Sequence, residues 1–327
     1  MASNKPLTAS WLPSTALLLG LLLGLSCVPV ASSADTEIPP ASYQTPDEAA
    51  KALLDALASG NEQTIVTVLG NKYADQLFIK EHDREEAQFA EIVKNAKDAL
   101  QLRQDDANTR VLVIGKNAWP MPIPLVHDDK GWHFDTATGI QEILARRIGA
   151  DELAAIDLMR AYVDAQMAYA AEDHDGSQVL KYAQKLISSP GKKDGLYWAA
   201  KDGEEQSPFG PFVAELPPYL QQRDLQKDAE KQGKQKEPYM GYYFRVLTRQ
   251  GENAPGGRYD YIINGNMIAG FGLVAVPAEY GETGVMTFVV SHQGKIFQKD
   301  LGDDTPVAAA AIQEYNPDDS WDLVDKK

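Results

Sequence analysis

The sequence predicts an α+β fold: an N-terminal domain of helices and a small sheet, then a long helix and an antiparallel sheet. Three observations predict it. Apolar residues recur at helical spacing between residues 46 and 102 and again between 140 and 171. Residues 241–302 are β-branched and aromatic runs divided by Gly, Asn and Pro. Those runs are joined by very short turns, which only antiparallel neighbours can use.

The first 34 residues read as a signal segment. Lys5 provides a positive start, Ala16 to Leu25 an apolar run too short to span a bilayer, and Ser32-Ser-Ala34 a small-residue cleavage site. Cleavage is expected after Ala34. A lipoprotein reading through Cys27 needs an aliphatic residue three places earlier, and Gly24 stands there. Residues 35–44 form a leader, and 45–139 the N-terminal domain. Within it Thr45-Pro-Asp-Glu48 starts a helix, with Thr as cap, Pro in the first turn and acids at the positive end of the dipole. Ala49, Leu53, Leu54 and Leu57 keep the helical spacing and Gly60 closes it. Glu62 to Leu69 is a second helix and Glu85 to Leu102 a third, with Phe89, Ile92, Val93, Ala96 and Leu100 on one face. Thr109 to Ile114 alternates as a strand. Ile123 to His127 and Trp132 to Asp135 pair across an Asp128-Asp-Lys-Gly131 turn.

Residues 140–190 are bridging helices: Ile140 to Ala171, with an interruption expected at Gly149, and Lys181 to Ile187. Residues 191–240 hold a Pro/aromatic loop and then Gln221 to Glu237, dense in Lys, Gln, Asp and Glu. In the sheet domain, 241–302, the expected strands are Tyr242–Thr248, Tyr259–Ile263, Met267–Val276, Gly284–Ser291 and Lys295–Lys299. Asn264-Gly265 supplies the positive φ of a two-residue hairpin turn, and Gln293-Gly294 makes another. Residues 303–327 form an acidic tail.

Within that sheet, the opening Gly241-Tyr-Tyr-Phe244 is followed by Phe271-x-Leu-Val-Ala-x-Pro-Ala-x-Tyr-Gly-x-Thr-Gly-x-x-Thr-Phe-x-Val290 and a strand after Gly294. This order resembles the globular heads of type IV pilins and pseudopilins, and Leu158 to Tyr182 looks like the head half of a pilin helix. A pilin feeds an apolar N-terminal helix straight into its head, whereas here more than a hundred residues intervene. The resemblance therefore implies a pilin-like head on another protein. A second resemblance covers Trp119 to Leu301. It rests on Trp119-Pro-Met-Pro-Ile-Pro-Leu-Val, Gly131-Trp-His-Phe-Asp, Ser189-Pro-Gly-Lys-Lys-Asp-Gly-Leu-Tyr-Trp198, Tyr242-Tyr-Phe-Arg and Ala254-Pro-Gly-Gly257. These residues are similar to the bacterial exported family DUF2950, a domain of unknown function. That resemblance implies export and a shared fold, and brings no activity or site.

Among 327 residues there are 31 Lys and Arg against 47 Asp and Glu, so neither nucleic acid nor an anionic lipid surface has an electrostatic reason to bind. Once the signal is removed, Cys27 goes with it, and with it disulfides, thiolate catalysis and Cys-based zinc sites. No later run is apolar enough for a membrane helix.

Candidate chemistry is sparse. His127, His133, Asp128, Asp129 and Asp135 would form a metal site only if they converge; as a hairpin they are turn residues and cross-strand neighbours. Asp173-His-Asp175-Gly176 resembles the start of a calcium loop, but the closing acid is missing because Gln184 occupies its place. Ser177 lacks the flanking glycines of a nucleophile elbow, and Gly256-Gly257 does not precede a helix as a phosphate cradle must. No catalytic, cofactor or metal residue is assigned. Glu279, Tyr280 and Glu282 form a polar turn suited to a partner. Tyr242, Tyr243, Arg245, Arg249, Tyr259 and Tyr261 interleave aromatic and cationic side chains, a hot-spot composition. Strand alternation puts Tyr243 and Arg245 on one face and Tyr242 and Phe244 on the other. The partner-binding candidates are thus Tyr243, Arg245, Arg249, Glu279, Tyr280 and Glu282. The expected function is a non-enzymatic, exported envelope module for binding or assembly that engages another envelope component, such as a protein partner, and is periplasmic or secreted. The alternative is an envelope hydrolase acting on glycan or peptide through a carboxylate pair.

Overall fold

The computed structural model describes residues 37–78, 82–201, 203–215 and 238–324. The expected signal segment with its cleavage after Ala34, Cys27, and the charged stretch Gln221 to Glu237 lie outside those residues. Helix α1 (Pro46–Ser59) begins with a capping box: Thr45 Oγ1 accepts from the Glu48 amide at 3.2 Å, and the Glu48 carboxylate accepts from the Thr45 amide at 3.3 Å. α2 (Glu62–Leu69), α3 (Ala74–Leu77) and α4 (His82–Asp98) follow.

α4 ends earlier than the helical periodicity predicts. Leu100 to Gln104 is strand β1, paired residue by residue with β2 (Thr109–Ile114) from Leu100 opposite Ile114 to Gln104 opposite Arg110. Leu100 continues the helical face of Val93 and Ala96, yet Leu100 and Leu102 together share one face of a strand, and the backbone pairing with β2 decides between the two. β3 (Trp119–Pro120), β4 (Leu125–Asp128) and β5 (Gly131–Phe134) complete a sheet of order β1-β2-β4-β5, with β3 also on β2. The Asp128–Gly131 turn forms as expected, with the Lys130 amide donating to Asp128 Oδ1 at 2.8 Å. Gly131 has φ 110°, and a Cβ there would come within 2.6 Å of the Tyr43 carbonyl. That closeness lets Tyr43 bond Trp132 in both directions at 2.8 Å and cover the β5 edge. Leu53, Leu57, Ile65 and Leu69 from α1 and α2 pack on Leu112, Ile114, Leu125 and Phe134 of this sheet.

Helix α5 (Thr136–Tyr169) is capped by Asp135, whose Oδ1 accepts from the Thr138 amide. It runs for 34 residues with no break at Gly149. A mid-helix glycine costs only about 1 kcal/mol against alanine. The buried stripe of Ala155, Met159, Tyr162, Ala165 and Tyr169 holds the helix regardless. The expected helix at Lys181 to Ile187 is instead irregular, bent at 184 and 186 and bridged at Tyr182 and Ile187. Its bonds go outward: the Tyr182 amide to the Met267 carbonyl at 2.8 Å, and the Ala183 amide to Gln166 Oε1 at 2.8 Å. α6 (Gly210–Glu215) follows.

The C-terminal sheet has order β14-β13-β12-β11-β6, antiparallel throughout, from β6 (Tyr242–Leu247), β11 (Gly272–Pro277), β12 (Met286–Ser291), β13 (Ile296–Asp300) and β14 (Asp322–Leu323). Two small hairpins flank it: β7 (Arg249–Gln250) with β8 (Tyr259–Asp260), and β9 (Ile262–Ile263) with β10 (Asn266–Met267). Asn264 and Gly265 both take positive φ, as that turn requires. The runs expected as single strands at 259–263 and 267–276 are each broken, because the Tyr261 amide turns to the Thr248 carbonyl, the Ile268 and Ala269 amides turn to the Tyr261 carbonyl, and Gly270 passes against the Tyr261 ring.

Both faces of this sheet are covered. Tyr242, Leu273, Ala275, Phe288, Val290 and Ile296 face α5. Leu247, Val274, Val289 and Phe297 face the C-terminal segment, where α7 (Thr305–Ala311) leads to Ile312, the fully buried Tyr315 and Trp321. The described residues from Ile38 onward belong to one compact unit. Among them no helix is long and apolar enough to cross a membrane.

Candidate functional site

The six partner-binding candidates do not meet on one surface. Tyr243 and Arg245 share a face of β6, as alternation predicts, and that face points to α7. The Arg245 guanidinium donates to the carbonyls of Ala309 at 3.1 Å and Ile312 at 2.6 Å, closing the C-terminal end of α7. Tyr243 is exposed beside it. Arg249 lies past the far end of β6, exposed at the start of the β7–β8 hairpin. Glu279, Tyr280 and Glu282 occupy the turn between β11 and β12. Tyr280 donates to Asp300 Oδ1 at 3.0 Å. The Glu282 carboxyl is pushed above the usual carboxylate range by its hydrogen bond with Glu279 and their mutual repulsion, with Arg147 of α5 acting the other way.

Behind that turn α5 fastens the sheet. Glu152 Oε1 accepts from the Val285 and Met286 amides at 2.9 and 3.0 Å, and the Tyr242 hydroxyl donates to the Met286 carbonyl at 2.9 Å. Burial, reinforced by Glu152 and Asp151, raises the Tyr242 hydroxyl far above an ordinary tyrosine. It is therefore a permanent donor.

His127 and His133 do not converge. In the β4–β5 register His127 stands opposite Trp132 and His133 opposite Val126, so the two imidazoles lie on opposite faces of the sheet. His127 packs on the Trp132 ring at 5.1 Å, and His133 Nδ1 is 3.8 Å from Asp128. The Asp173–Asp175 loop already holds a cation, which is Lys181. Its ammonium donates to Asp175 Oδ2 at 2.5 Å, Ser177 Oγ at 3.2 Å and Asn266 Oδ1 at 3.1 Å. Asp173 accepts from the amides of Asp175 and Gln178. The Lys181 bond, with those from Ser177, draws the Asp175 carboxyl well below its ordinary range.

A different cluster forms from the same loop. His174 stacks on Tyr169 with ring centres 4.1 Å apart and meets Trp198 edge-on at 5.6 Å; its side chain is 5% exposed. Nε2 lies 3.0 Å from the Tyr169 carbonyl, and Nδ1 lies 3.2 Å from Glu205 Oε1. Glu205 Oε2 accepts from Lys193 at 2.5 Å, its backbone carbonyl accepts from Trp198 Nε1 at 3.0 Å, and Lys193 lies over the Trp198 ring. The Lys193 bond draws the Glu205 carboxyl below its usual range against a small burial effect, with His174 adding to the shift. Burial, together with Asp175, Asp194 and Glu205, pushes the Tyr169 hydroxyl up to about 12. Glu172, His174 and Glu205 offer ligand atoms within 4.8 Å of one another. In sequence only the two aspartates beside His174 stand out, as the start of a calcium loop. Glu172-x-His174 was the cluster's local signal; Glu205 sits on a separate loop and had none.

The N-terminal sheet presents an open groove of about 360 Å³ between α1, α4 and β1. Leu54, Val93, Ala96, Leu100 and Leu102 line it, with Lys51, Asp55 and Lys97 also in its wall. Leu100 is 45% exposed. β1 is the terminal strand of its sheet, and among the described residues no strand pairs with its outer edge. The opposite edge is covered by Tyr43.

The chain belongs to the family DUF2950, described as a protein of unknown function, which matches residues 41–324. No curated protein and no solved structure matches it.

Proposed function

We propose, taking membership of that family as the premise, that this chain is an exported, non-enzymatic envelope module that binds a protein partner through the β1 edge and the groove beside it. The observation that carries the reading is the asymmetry of the N-terminal sheet. One edge is closed by Tyr43, and the other is an unpaired strand bordering an apolar groove. An extended segment adding to β1 gains main-chain hydrogen bonds and can place alternate apolar side chains in the groove, the mode known as β-strand addition. Residues 1–34 are read as the export signal, and the acidic surface keeps the mature protein from nucleic acid.

The test is photo-crosslinking in the living envelope from a reactive residue at Lys97, with the exposed Val307 on α7 as the control position. A protein partner captured from Lys97, absent from Val307 and lost in Leu100→Asp, supports the reading. No partner from Lys97 overturns it; capture from Tyr243 alone would move the surface to the C-terminal sheet. Sequencing the envelope form should begin at Asp35, and a retained N-terminus would refute cleavage after Ala34.

A second reading rests on the Glu279–Glu282 pair in the β11–β12 turn, where the neighbouring Glu279 raises the Glu282 carboxyl above the usual carboxylate range. The pair carries the hydrolase alternative, on glycan or peptide, with peptide the class tested first. Peptide turnover lost in both Glu279→Gln and Glu282→Gln would establish it; equal turnover in the variants removes it.

A further inference from the structure

We infer that Glu172, His174 and Glu205 form a binding site for a divalent transition-metal ion of the zinc class. The argument starts from the histidine's hydrogen bonds. The Tyr169 carbonyl can only accept, so His174 Nε2 carries the hydrogen of their 3.0 Å contact. Metal-binding histidines use their other ring nitrogen in this way, donating to a backbone carbonyl that fixes tautomer and ring orientation. Nδ1 then faces Glu205 Oε1 at 3.2 Å with the ring almost wholly buried, an ion pair when Nδ1 carries a hydrogen and two adjacent ligand atoms when it does not. A divalent cation that takes the place of that hydrogen would bind both atoms.

The surroundings fit a metal better than a chance meeting of charges. Stacking on Tyr169 and the edge of Trp198 fix the imidazole plane. Lys193 holds the far oxygen of Glu205 and the Trp198 indole holds its backbone, so Oε1 is the oxygen left to face the ring. Glu172, exposed and one residue beyond the loop's start, supplies the third ligand. The ligand atoms span up to 4.8 Å, slightly wider than the roughly 4 Å that two bonds of about 2.0–2.1 Å to one zinc ion allow. A rotamer adjustment of Glu172 closes the difference. One imidazole and two carboxylates suit zinc and its neighbours, whereas calcium and magnesium prefer oxygen alone. Three protein ligands also leave a fourth position for water or for a group brought by a partner.

The experiment is calorimetric titration of the tag-free mature chain, stripped with a chelator, with zinc and then cobalt, whose visible spectrum reports nitrogen and oxygen ligation. One ion per chain is expected, weakened on the order of tenfold or more in Glu172→Gln and Glu205→Gln, and abolished in His174→Gln. His174 is buried, so circular dichroism accompanies each titration; Glu172→Gln changes only an exposed side chain and carries the test if His174→Gln misfolds. Three results overturn the inference: no stoichiometric zinc binding, equal affinity in wild type and Glu172→Gln, or displacement of zinc by equimolar calcium. The first would leave the cluster as a histidine–carboxylate ion pair.

Discussion

The two sheets of this protein treat their surfaces in opposite ways. The C-terminal sheet lies between α5 on one face and the α7–Tyr315–Trp321 segment on the other, and groups that look suited to recognition are taken up inside it. Arg245 closes a helix end, Tyr242 ties β6 to β12, and Gln250 bridges two loop carbonyls. The N-terminal sheet is covered on one face by α1, α2 and α4 and leaves β1 and a groove uncovered. The contrast teaches that residue type alone does not mark a binding surface. An arginine or tyrosine counts toward recognition only when the fold has not already satisfied its hydrogen bonds.

The comparison breaks first in the core if it is mistaken. Phe288→Ala removes a fully buried ring from the face packed on α5 and should cost about 3–5 kcal/mol in urea unfolding. A loss below 1 kcal/mol would mean that face is not the close-packed one. Gln250→Leu comes next. Its amide donates to the Pro255 and Gly257 carbonyls at 2.8 Å each, and it accepts from Tyr261 at 3.1 Å. Leaving those groups unpaired should cost roughly 1–3 kcal/mol, read from the same unfolding curves. Arg245→Ala should cost about 1–2 kcal/mol and raise hydrogen exchange across Thr305 to Ala311. Unchanged protection there would return Arg245 to the list of free surface groups.

Acid sharpens the contrast locally. Lys193 holds Glu205, and Lys181 holds Asp175, below their unfolded-state values. A depressed folded pKa stabilises above the unfolded one, roughly 4, and the contribution is lost as pH falls through and below it. Amide exchange in residues 172–207 should therefore rise on acidification before that of β11 and β12; simultaneous loss would show that these ion pairs do not set local stability. The smallest effect is expected in the groove. Leu100→Asp should change stability by no more than about 0.5 kcal/mol while removing the crosslink from Lys97. A large destabilisation would mean that β1 is core rather than an open edge.

Much of the fold was legible because its signals are local. Thr45-Pro-Asp-Glu48 reads as a capping box, Asn264-Gly265 as a hairpin turn and Gln293-Gly294 as another, and each forms in place. The candidate site was legible only in fragments. Asp173 and Asp175 drew attention as carboxylates, yet their charge is answered by Lys181, and the histidine between them faces a glutamate from another loop. His127 and His133 looked like neighbours in sequence, and one residue of strand register places them on opposite faces.

The sequence by itself determined the α+β class, the family, the turn positions and the alternating faces of β6, because capping, positive φ and strand alternation depend on residues a few places apart. Only the tertiary structure decided that Leu100 to Gln104 is a strand, that 181–187 is not a helix, that Arg245 faces a helix end and that His174 meets Glu205. In each case the local preference was nearly balanced or absent. The deciding free energy came from backbone pairing or hydrogen bonds with distant segments, which no stretch of sequence carries within itself.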